Sequence, residues 1–305
     1  MGSPESKTRK NTTLILIVLL ILSIVSTIYF YNVYKKYNEL LTNANNRYEE
    51  ISDILNKQNK ELDDLNAELS KYQNLQDSIK TIKETYFNNA YKADMLARNN
   101  EANFKVCYLT FDDGPYLLTD SFLDVLDEKD VLATFFTRKR EDPEYDGTYL
   151  RQKTSGHTIG NHTASHIIKN IYKSEEIFVE DVKENREFIQ DKLGITTDVM
   201  RFPGGSYQAT YMGLSKSKIV EMLDDIGYGY IDWTHATGDG GATLSPYEFL
   251  HNVVDYTADD NVIVILMHDY SRNTLECLRE LIDTLTNQGY IFLPLWYDSP
   301  AVKKG

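Results

Sequence analysis

The chain has 305 residues, more than one compact domain with a short tail would need, so distinct segments are expected. Its formal net charge is −14 at pH 7, and residues 1–102 carry 13 basic and 13 acidic side chains, so the remainder holds the whole acidic excess. Nucleic acid and anionic lipid would be repelled by that acidic segment, and we discount both as its partners.

The first element is an uncharged apolar run from Thr12 to Tyr31, about the 20 residues that a membrane-spanning helix needs. Basic residues at positions 7, 9 and 10 precede it, which favours a cytoplasmic N-terminus and an extracellular remainder. We therefore predict a cytoplasmic tail at 1–11 and a transmembrane helix at 12–32 in the cell membrane. A cleaved signal peptide is the alternative, although the run is long for one.

Residues 33–102 form a polar segment that lacks proline and glycine from Lys35 to Tyr91. Its apolar residues recur at helical spacing, with a change of register near Leu75, which predicts a coiled-coil-like stalk and a possible homo-oligomer. A single amphipathic helix is the alternative, because the seam is short and imperfect.

Residues 103–305 alternate between short apolar runs and longer helical periods. The predicted strands are Val106–Phe111, Val131–Thr137, Thr158–Asn161, Val199–Phe202, Gly229–Trp233, Val262–Met267 and Ile291–Leu293. The predicted helices are Ser121–Leu126, Glu175–Leu193, Lys216–Ile226, Pro246–Tyr256 and Thr274–Asn287. This alternation predicts a parallel α/β domain, either open or closed into a barrel.

Polar clusters follow successive predicted strands, where the ends of parallel strands converge on one face. The clustered residues are Asp112 and Asp113, His162 and His166, Arg201, Asp239, and His268. One aspartate and two histidines four residues apart make a three-ligand metal site with an open fourth position. The other aspartate would then be left free to act as a base. Two cysteines, Cys107 and Cys277, are predicted to be buried, and a disulfide between them stays open.

These motifs resemble those of the polysaccharide deacetylases of carbohydrate esterase family 4, built on the NodB homology domain. The resemblance covers about Phe104 to Leu295. It rests on Thr-Phe-Asp-Asp-Gly-Pro at 110–115, His-Thr-Ala-Ser-His at 162–166, Arg-Phe-Pro-Gly-Gly at 201–205 and Leu-Met-His at 266–268. It implies a distorted (β/α) barrel of seven or eight units with an open or incomplete ring.

The resemblance also implies a role for each site residue. Asp113, His162 and His166 would hold one divalent metal, zinc by ligand type, with cobalt, manganese and nickel as alternatives. The implied catalytic residues are the base Asp112, the cation Arg201 that orients it, the acid His268 and its partner Asp239. The implied substrate-binding residues are Gly204 through its N–H, Leu266 at the acetyl pocket and Trp233.

The sequence departs from the family pattern at two positions. The fourth motif, usually Asp-Trp, reads Asp239-Gly240, whereas a literal Asp232-Trp233 lies seven residues earlier, inside a predicted strand. We favour Asp239 because it follows the strand end, and Gly240 then removes an aromatic wall. Gly204 replaces a frequent tyrosine, but only its N–H is needed.

The sequence thus predicts a membrane-anchored, metal-dependent deacetylase of a cell-surface polysaccharide, with peptidoglycan N-acetylglucosamine as the first substrate. Chitooligosaccharide, an exopolysaccharide and an O-acetylated glycan are alternatives. A non-catalytic glycan-binding scaffold of the same fold is a second hypothesis, which expects a lost ligand or base. A glycoside hydrolase is disfavoured, because its paired acids lie across the substrate rather than side by side.

Overall fold

The computed structural model describes residues 61–241, 244–257 and 259–305. Its first helix, α1, covers Glu61–Arg98. The other helices are α2 (Thr119–Lys129), α3 (Asp146–Thr154), α4 (Ile168–Ile171), α5 (Glu175–Leu193), α6 (Tyr207–Tyr211), α7 (Lys216–Asp225), α8 (Pro246–Val254) and α9 (Arg272–Asn287). A 3-10 turn at Pro143–Tyr145 precedes α3.

Eight strands form one sheet. They are β1 (Lys105–Asp112), β2 (Thr134–Thr137), β3 (Thr158–Asn161), β4 (Val199–Met200), β5 (Gly229–Tyr230), β6 (His235–Ala236), β7 (Val262–His268) and β8 (Tyr290–Phe292). Their order is β5-β4-β3-β2-β1-β7-β6, with β8 also paired to β1, and all of these pairs are parallel. No ladder joins β5 to β6 within the described residues, so the sheet is a half-barrel, in agreement with the predicted incomplete ring.

The strand prediction is wrong around Asp232 and Trp233. The predicted strand Gly229–Trp233 ends at Tyr230, because its neighbour β4 offers only two residues for pairing. Asp232 and Trp233 therefore lie between β5 and the short strand β6, which the sequence did not predict. Strands β1 and β7 each reach one residue further than predicted, so that Asp112 and His268 are their last residues.

The two faces of the central strands have different surroundings. Alternate residues of β1, Cys107, Leu109 and Phe111, belong to a buried apolar cluster with side chains of α2, α8 and α9. A second cluster joins β4 and β5 to α5 and α7. Because side chains alternate along a strand, Tyr108, Thr110 and Asp112 point to the opposite face of β1. Helices α2, α8 and α9 therefore pack on one face of β1, and the functional residues at its carboxyl end lie on the opposite face.

The compact unit that contains the sheet begins at Asn88, earlier than the predicted boundary at residue 103. The contact between Asp94 of α1 and β1 accounts for the difference, since the Tyr108 hydroxyl donates to Asp94 Oδ2 at 2.7 Å. Arg98 also pairs with Asp94, which is fully buried. The last turns of the predicted stalk are thus part of the folded domain.

The predicted transmembrane helix at 12–32 lies outside the described residues, as does the first part of the predicted stalk. Among residues 61–241, 244–257 and 259–305, no helix is long and apolar enough to cross a membrane. The described part of the stalk is helical, as α1 shows, and its oligomerisation stays a prediction. Cys107 and Cys277 are both buried and both free, so they do not form the disulfide that the sequence left undecided.

Candidate active site

The predicted site residues meet at the carboxyl end of the sheet. Strands β1 and β7 pair in parallel, with Asp112 opposite His268 and Thr110 opposite Leu266. On each strand the two residues are two positions apart, so all four side chains lie on the same face of the sheet, opposite to helices α2, α8 and α9. The base and acid implied by the family resemblance are therefore neighbours across one strand pair.

Asp113, His162 and His166 form a cluster suited to a metal ion. Their ligand atoms all lie within 4.8 Å of one another, and Asp113 Oδ1 is 3.1 Å from His166 Nε2 and 3.6 Å from His162 Nε2. Ligand atoms roughly 3.3 Å apart are expected around tetrahedral zinc with bonds of about 2.0–2.1 Å. Asp113 Oδ1 is buried and accepts no hydrogen bond from the described residues, so its lone pairs are available to a metal ion. The three residues fit the predicted metal.

The protonation state of His162 also suits metal binding. Its Nδ1 lies 2.8 Å from the carbonyl oxygen of Arg201, so Nδ1 carries the hydrogen and Nε2 presents a lone pair towards Asp113. Burial lowers the pKa of His162 to about 3, and burial also lowers the pKa of His166. Both rings are therefore neutral near pH 7, which is the form that binds a metal.

The loop with the two histidines is held by polar side chains that the sequence analysis missed. Asn161 Oδ1 accepts from the N–H of Thr163 at 2.9 Å and from Asn185 Nδ2 at 3.0 Å. Asp181 Oδ1 accepts from the N–H groups of Ala164 and Ser165. Asn185 is fully buried on α5, in line with Phe178, Val182 and Ile189. The sequence signal that could have identified Asn185 is a polar residue at a core position of an amphipathic helix.

Asp112 is bound to Arg201 and lies beside the metal cluster. The Nη1 group of Arg201, which is fully buried, donates to Asp112 Oδ1 at 2.8 Å and to Thr110 Oγ1 at 2.6 Å. Asp112 Oδ2 lies 3.7 Å from His162 Nε2. Burial raises the pKa of Asp112 above its usual value, although Arg201 opposes the shift. A carboxylate with a raised pKa, fixed in direction, is a better proton acceptor.

The glycine turn after β4 lies against Trp233. Gly204 and Gly205 both have positive φ, 76° and 86°, a backbone conformation that glycine adopts without strain. The Gly205 N–H donates to Phe202 O, whereas the Gly204 N–H has no acceptor among the described residues. A β-carbon on Gly205 would meet Trp233 Cη2 at 3.0 Å.

Asp232 has a structural contact with the same turn rather than with His268. Its Oδ1 accepts from the Ser206 N–H at 2.7 Å and its Oδ2 from the Ser206 hydroxyl at 2.6 Å. Its backbone oxygen also accepts from Arg201 Nη2 at 3.3 Å. Asp232 is therefore positioned to hold the chain that carries Gly204, a role that the sequence analysis missed.

His268 pairs with Asp239, as the choice of fourth motif predicted. His268 Nδ1 lies 2.7 Å from Asp239 Oδ1, and the His268 N–H donates to Oδ2 at 2.9 Å. Burial lowers the pKa of His268, but the hydrogen bond and charge of Asp239 outweigh it and leave a net rise. The protonated imidazole is thereby favoured, as a general acid requires.

Two neighbours of His268 were not predicted. A β-carbon on Gly240 would meet His268 Cε1 at 3.0 Å, so the chain passes close to the imidazole there. The Tyr270 ring lies 5.1 Å from the His268 ring, centroid to centroid, and 5.2 Å from the Tyr116 ring. Aromatic rings therefore lie beside His268 although position 240 has no side chain.

Comparisons with known proteins identify the family. A family model described as polysaccharide deacetylase matches residues 99–222. A putative polysaccharide deacetylase of Bacillus subtilis is 35% identical over 193 residues, 62% of this chain and 66% of the relative. The peptidoglycan-N-acetylglucosamine deacetylase of Bacillus cereus is 30% identical over 200 residues, 64% of this chain and 71% of the relative. The chain belongs to the polysaccharide deacetylase family.

A solved structure of another polysaccharide deacetylase has the same fold. The catalytic domain of a peptidoglycan N-acetylglucosamine deacetylase from Eubacterium rectale matches with a TM-score of 0.59 and 32% identity, over 67% of this chain and 93% of that domain. The predicted enzyme class is confirmed: these deacetylases are hydrolases of N-acetyl amide bonds, and the family uses a metal. The family model ends before Asp239 and His268, whose contact with each other is seen in the structure.

Proposed function

We propose that this polysaccharide deacetylase removes the acetyl group from N-acetylglucosamine residues of peptidoglycan. The observation that carries the proposal is the meeting of Asp112, held by Arg201, with His268, held by Asp239, beside the Asp113–His162–His166 cluster. Amide hydrolysis needs a base for water, charge stabilisation for the carbonyl oxygen and an acid for the leaving nitrogen. The names of the Bacillus cereus and Eubacterium rectale relatives support peptidoglycan as the glycan.

Each side chain then has one task. Asp112 accepts the proton of the attacking water, while Arg201 fixes the orientation of its carboxylate. The N–H of Gly204 donates a hydrogen bond to the developing oxyanion. His268 gives its Nε2 proton to the departing amine nitrogen, because Asp239 keeps the imidazole protonated. Leu266 and Trp233 border the space for the acetyl group and the sugar.

Asp113, His162 and His166 would hold one divalent cation, and their oxygen and imidazole donors favour zinc over calcium or magnesium. Such an ion supplies Lewis acidity at the acetyl carbonyl and lowers the pKa of a coordinated water to about 7. We propose zinc as the resident metal, with cobalt, manganese and nickel as alternatives.

We also propose that residues 12–32 anchor the protein in the cell membrane, with the deacetylase domain outside the cell. The support is the uncharged run Thr12–Tyr31 and the basic residues before it. A substrate in the cell wall would be within reach of an extracellular domain carried on residues 33–102. The topology can be tested by protease accessibility of the domain in intact cells.

Acetate release from defined glycans tests the activity. The full-length protein in detergent is incubated with N-acetylated peptidoglycan strands, chitooligosaccharides and an O-acetylated glycan, with and without a chelator. We expect most release from the peptidoglycan strands, loss with chelator and recovery with zinc. Binding of glycan without acetate release would instead support the scaffold hypothesis, and preferred release from the O-acetylated glycan would change the substrate.

A further inference from the structure

Large exposed apolar side chains follow three of the active-site motifs in the sequence. Leu117, Ile167 and Tyr207 come shortly after the three motifs that begin at residues 110, 162 and 201, and their exposed fractions are 77%, 52% and 64%. Because these three side chains follow the catalytic motifs directly, they are candidates for contact with the substrate. The amino-acid types suit a ligand that has both apolar and polar faces.

Of these three residues, Tyr207 is the one whose ring is held by contacts with the glycine turn of the active site. It is the first residue of α6 and adjoins the turn that carries the Gly204 N–H. A β-carbon on Gly205 would lie 3.0 Å from Tyr207 Cε1 and 3.2 Å from Cδ1, so one side of the ring rests on the glycine backbone. Trp233 Cη2 approaches the same point at 3.0 Å. Since the residue is still largely exposed, the rest of the ring faces solvent beside the site.

A second tyrosine extends this surface. Tyr211 follows Tyr207 by four residues on α6 and is 80% exposed. Residues four apart lie on the same side of a helix, roughly 6 Å along its axis. That distance is comparable to the length of one sugar residue. Tyr207 and Tyr211 therefore form a short aromatic strip that leads away from the glycine turn.

We propose that this strip binds the sugar residues next to the one being deacetylated, with Tyr207 stacked on the nearest sugar ring. The inference rests on the proposed function, because it assumes an amino-sugar chain as the substrate. A pyranose presents C–H groups on its face and hydroxyls at its edge, which match an aromatic face with a phenolic hydroxyl. The strip would select chains over single sugars.

The test compares substrates of different length with full-length variants. Tyr207→Ala should raise KM and lower kcat/KM for N-acetylglucosamine tetramers by roughly 3- to 10-fold, the size expected for one lost aromatic contact. It should leave the hydrolysis of a small acetyl ester, 4-methylumbelliferyl acetate, unchanged. Tyr207→Trp should retain the tetramer rate. Tyr211→Ala should affect hexamers more than dimers.

Tyr256→Ala is the matched control, because Tyr256 is 72% exposed and lies before the start of β7, at the opposite end of the sheet. Tyr256→Ala should change the rate of hydrolysis of neither the ester nor the tetramer. Equal losses on ester and tetramer for Tyr207→Ala, or no loss on either, would overturn the inference. Calorimetric binding of the tetramer is measured in parallel. If the wild type binds the tetramer without releasing acetate and Tyr207→Ala weakens that binding, the proposed function is refuted but the role of the strip in glycan binding is supported. If both proteins bind the tetramer equally, the strip does not bind the glycan.

Discussion

Asp239 contacts His268 with both of its carboxylate oxygens, Oδ1 at the imidazole Nδ1 and Oδ2 at the backbone N–H. Thr274 also donates to Oδ2 at 2.7 Å, so the carboxylate cannot rotate freely. The imidazole therefore keeps Nδ1 on Asp239 and leaves Nε2 for the substrate. This pair fixes both the direction and the charge of the proposed acid.

Replacing Asp239 should move the pH dependence of the reaction. The pKa of His268 is raised by Asp239, and a general acid works only while it is protonated, below that pKa. Asp239→Asn removes the charge, so His268 loses its proton at lower pH. The basic limb of the kcat/KM profile should shift to lower pH, and His268→Ala should remove the limb and most of the rate.

Asp232→Asn is the control for that shift. The carboxylate of Asp232 is bound to Ser206 and not to His268, so this variant can lower the rate at every pH without moving the basic limb. The profile is measured for wild type and both variants with the same metal content. A limb that moves in Asp232→Asn and stays in Asp239→Asn would show that the fourth motif belongs to Asp232.

The three proposed metal ligands should each be needed for occupancy. Asp113→Ala, His162→Ala and His166→Ala remove one of three donors that lie within 4.8 Å of one another, so each variant should lose bound metal together with activity. Elemental analysis of the purified proteins gives the metal content. His251→Ala, at a half-buried histidine paired with Asp255, should retain it. Full zinc occupancy in His166→Ala would contradict the assignment.

Asp112→Asn should remove the general base while leaving metal binding intact. The amide oxygen can still accept from Arg201, and the shape is nearly unchanged, but the side chain no longer accepts a proton. Turnover should fall roughly 10²–10⁴-fold, the usual contribution of a general base, while metal content stays normal. A variant with the wild-type rate and normal metal would mean that another group takes the proton from water.

Elements with strong local signals were predictable from the sequence. Helix α5 was predicted from Glu175 to Leu193, the range that the structure has. Ser174 caps it by accepting from the Ile177 N–H, and Gly194 ends it in the left-handed conformation, so both limits were encoded in adjacent residues. The placement of the motifs at strand ends followed from the alternation of runs and turns.

Features made by long-range contacts were not predictable in this way. Strand β6 has two residues, and only its pairing with Ile265 and Leu266 makes it a strand. The role of Asp232 depends on Ser206, which is distant in sequence. A local sequence pattern identifies neither the strand that pairs with β6 nor the serine that binds Asp232. Strand propensity does not predict an element of two residues. The sequence therefore predicted which residues do chemistry better than which residues hold them.

Gly114 should tolerate no side chain. A β-carbon there would lie 2.1 Å from Asp269 Oδ2, and Asp269 is fully buried and bound to Thr119 Oγ1 at 2.6 Å. Gly114→Ala should therefore destabilise the domain by about 1–3 kcal/mol and weaken metal binding at the adjacent Asp113. Gly147→Ala, with no atom near the new carbon, should be neutral or slightly stabilising. Denaturant unfolding of both variants checks this, and equal midpoints would contradict the clash.

His157 should make the domain sensitive to mild acid. Its Nδ1 accepts from the Ala133 N–H at 3.1 Å, so the ring is neutral with its hydrogen on Nε2. Burial lowers its pKa from 6.5 to about 4. Between these values the unfolded chain binds a proton that the folded chain does not, so the free energy of unfolding falls as pH decreases from about 6.5 towards 4. The loss can reach about 3 kcal/mol, since one pKa unit corresponds to about 1.4 kcal/mol.

His157→Asn removes this proton while keeping an acceptor for Ala133. An asparagine oxygen can take the place of Nδ1, but it does not titrate, so the variant should lose less stability between pH 6.5 and 4 than the wild type. Denaturant unfolding is followed across this range with chelator in both samples, so that His162 and His166 contribute equally. The variant is expected to start lower at pH 7, because the smaller side chain packs less well against Phe135. The decisive quantity is therefore the slope with pH, and parallel curves would show that His157 is not held neutral by burial.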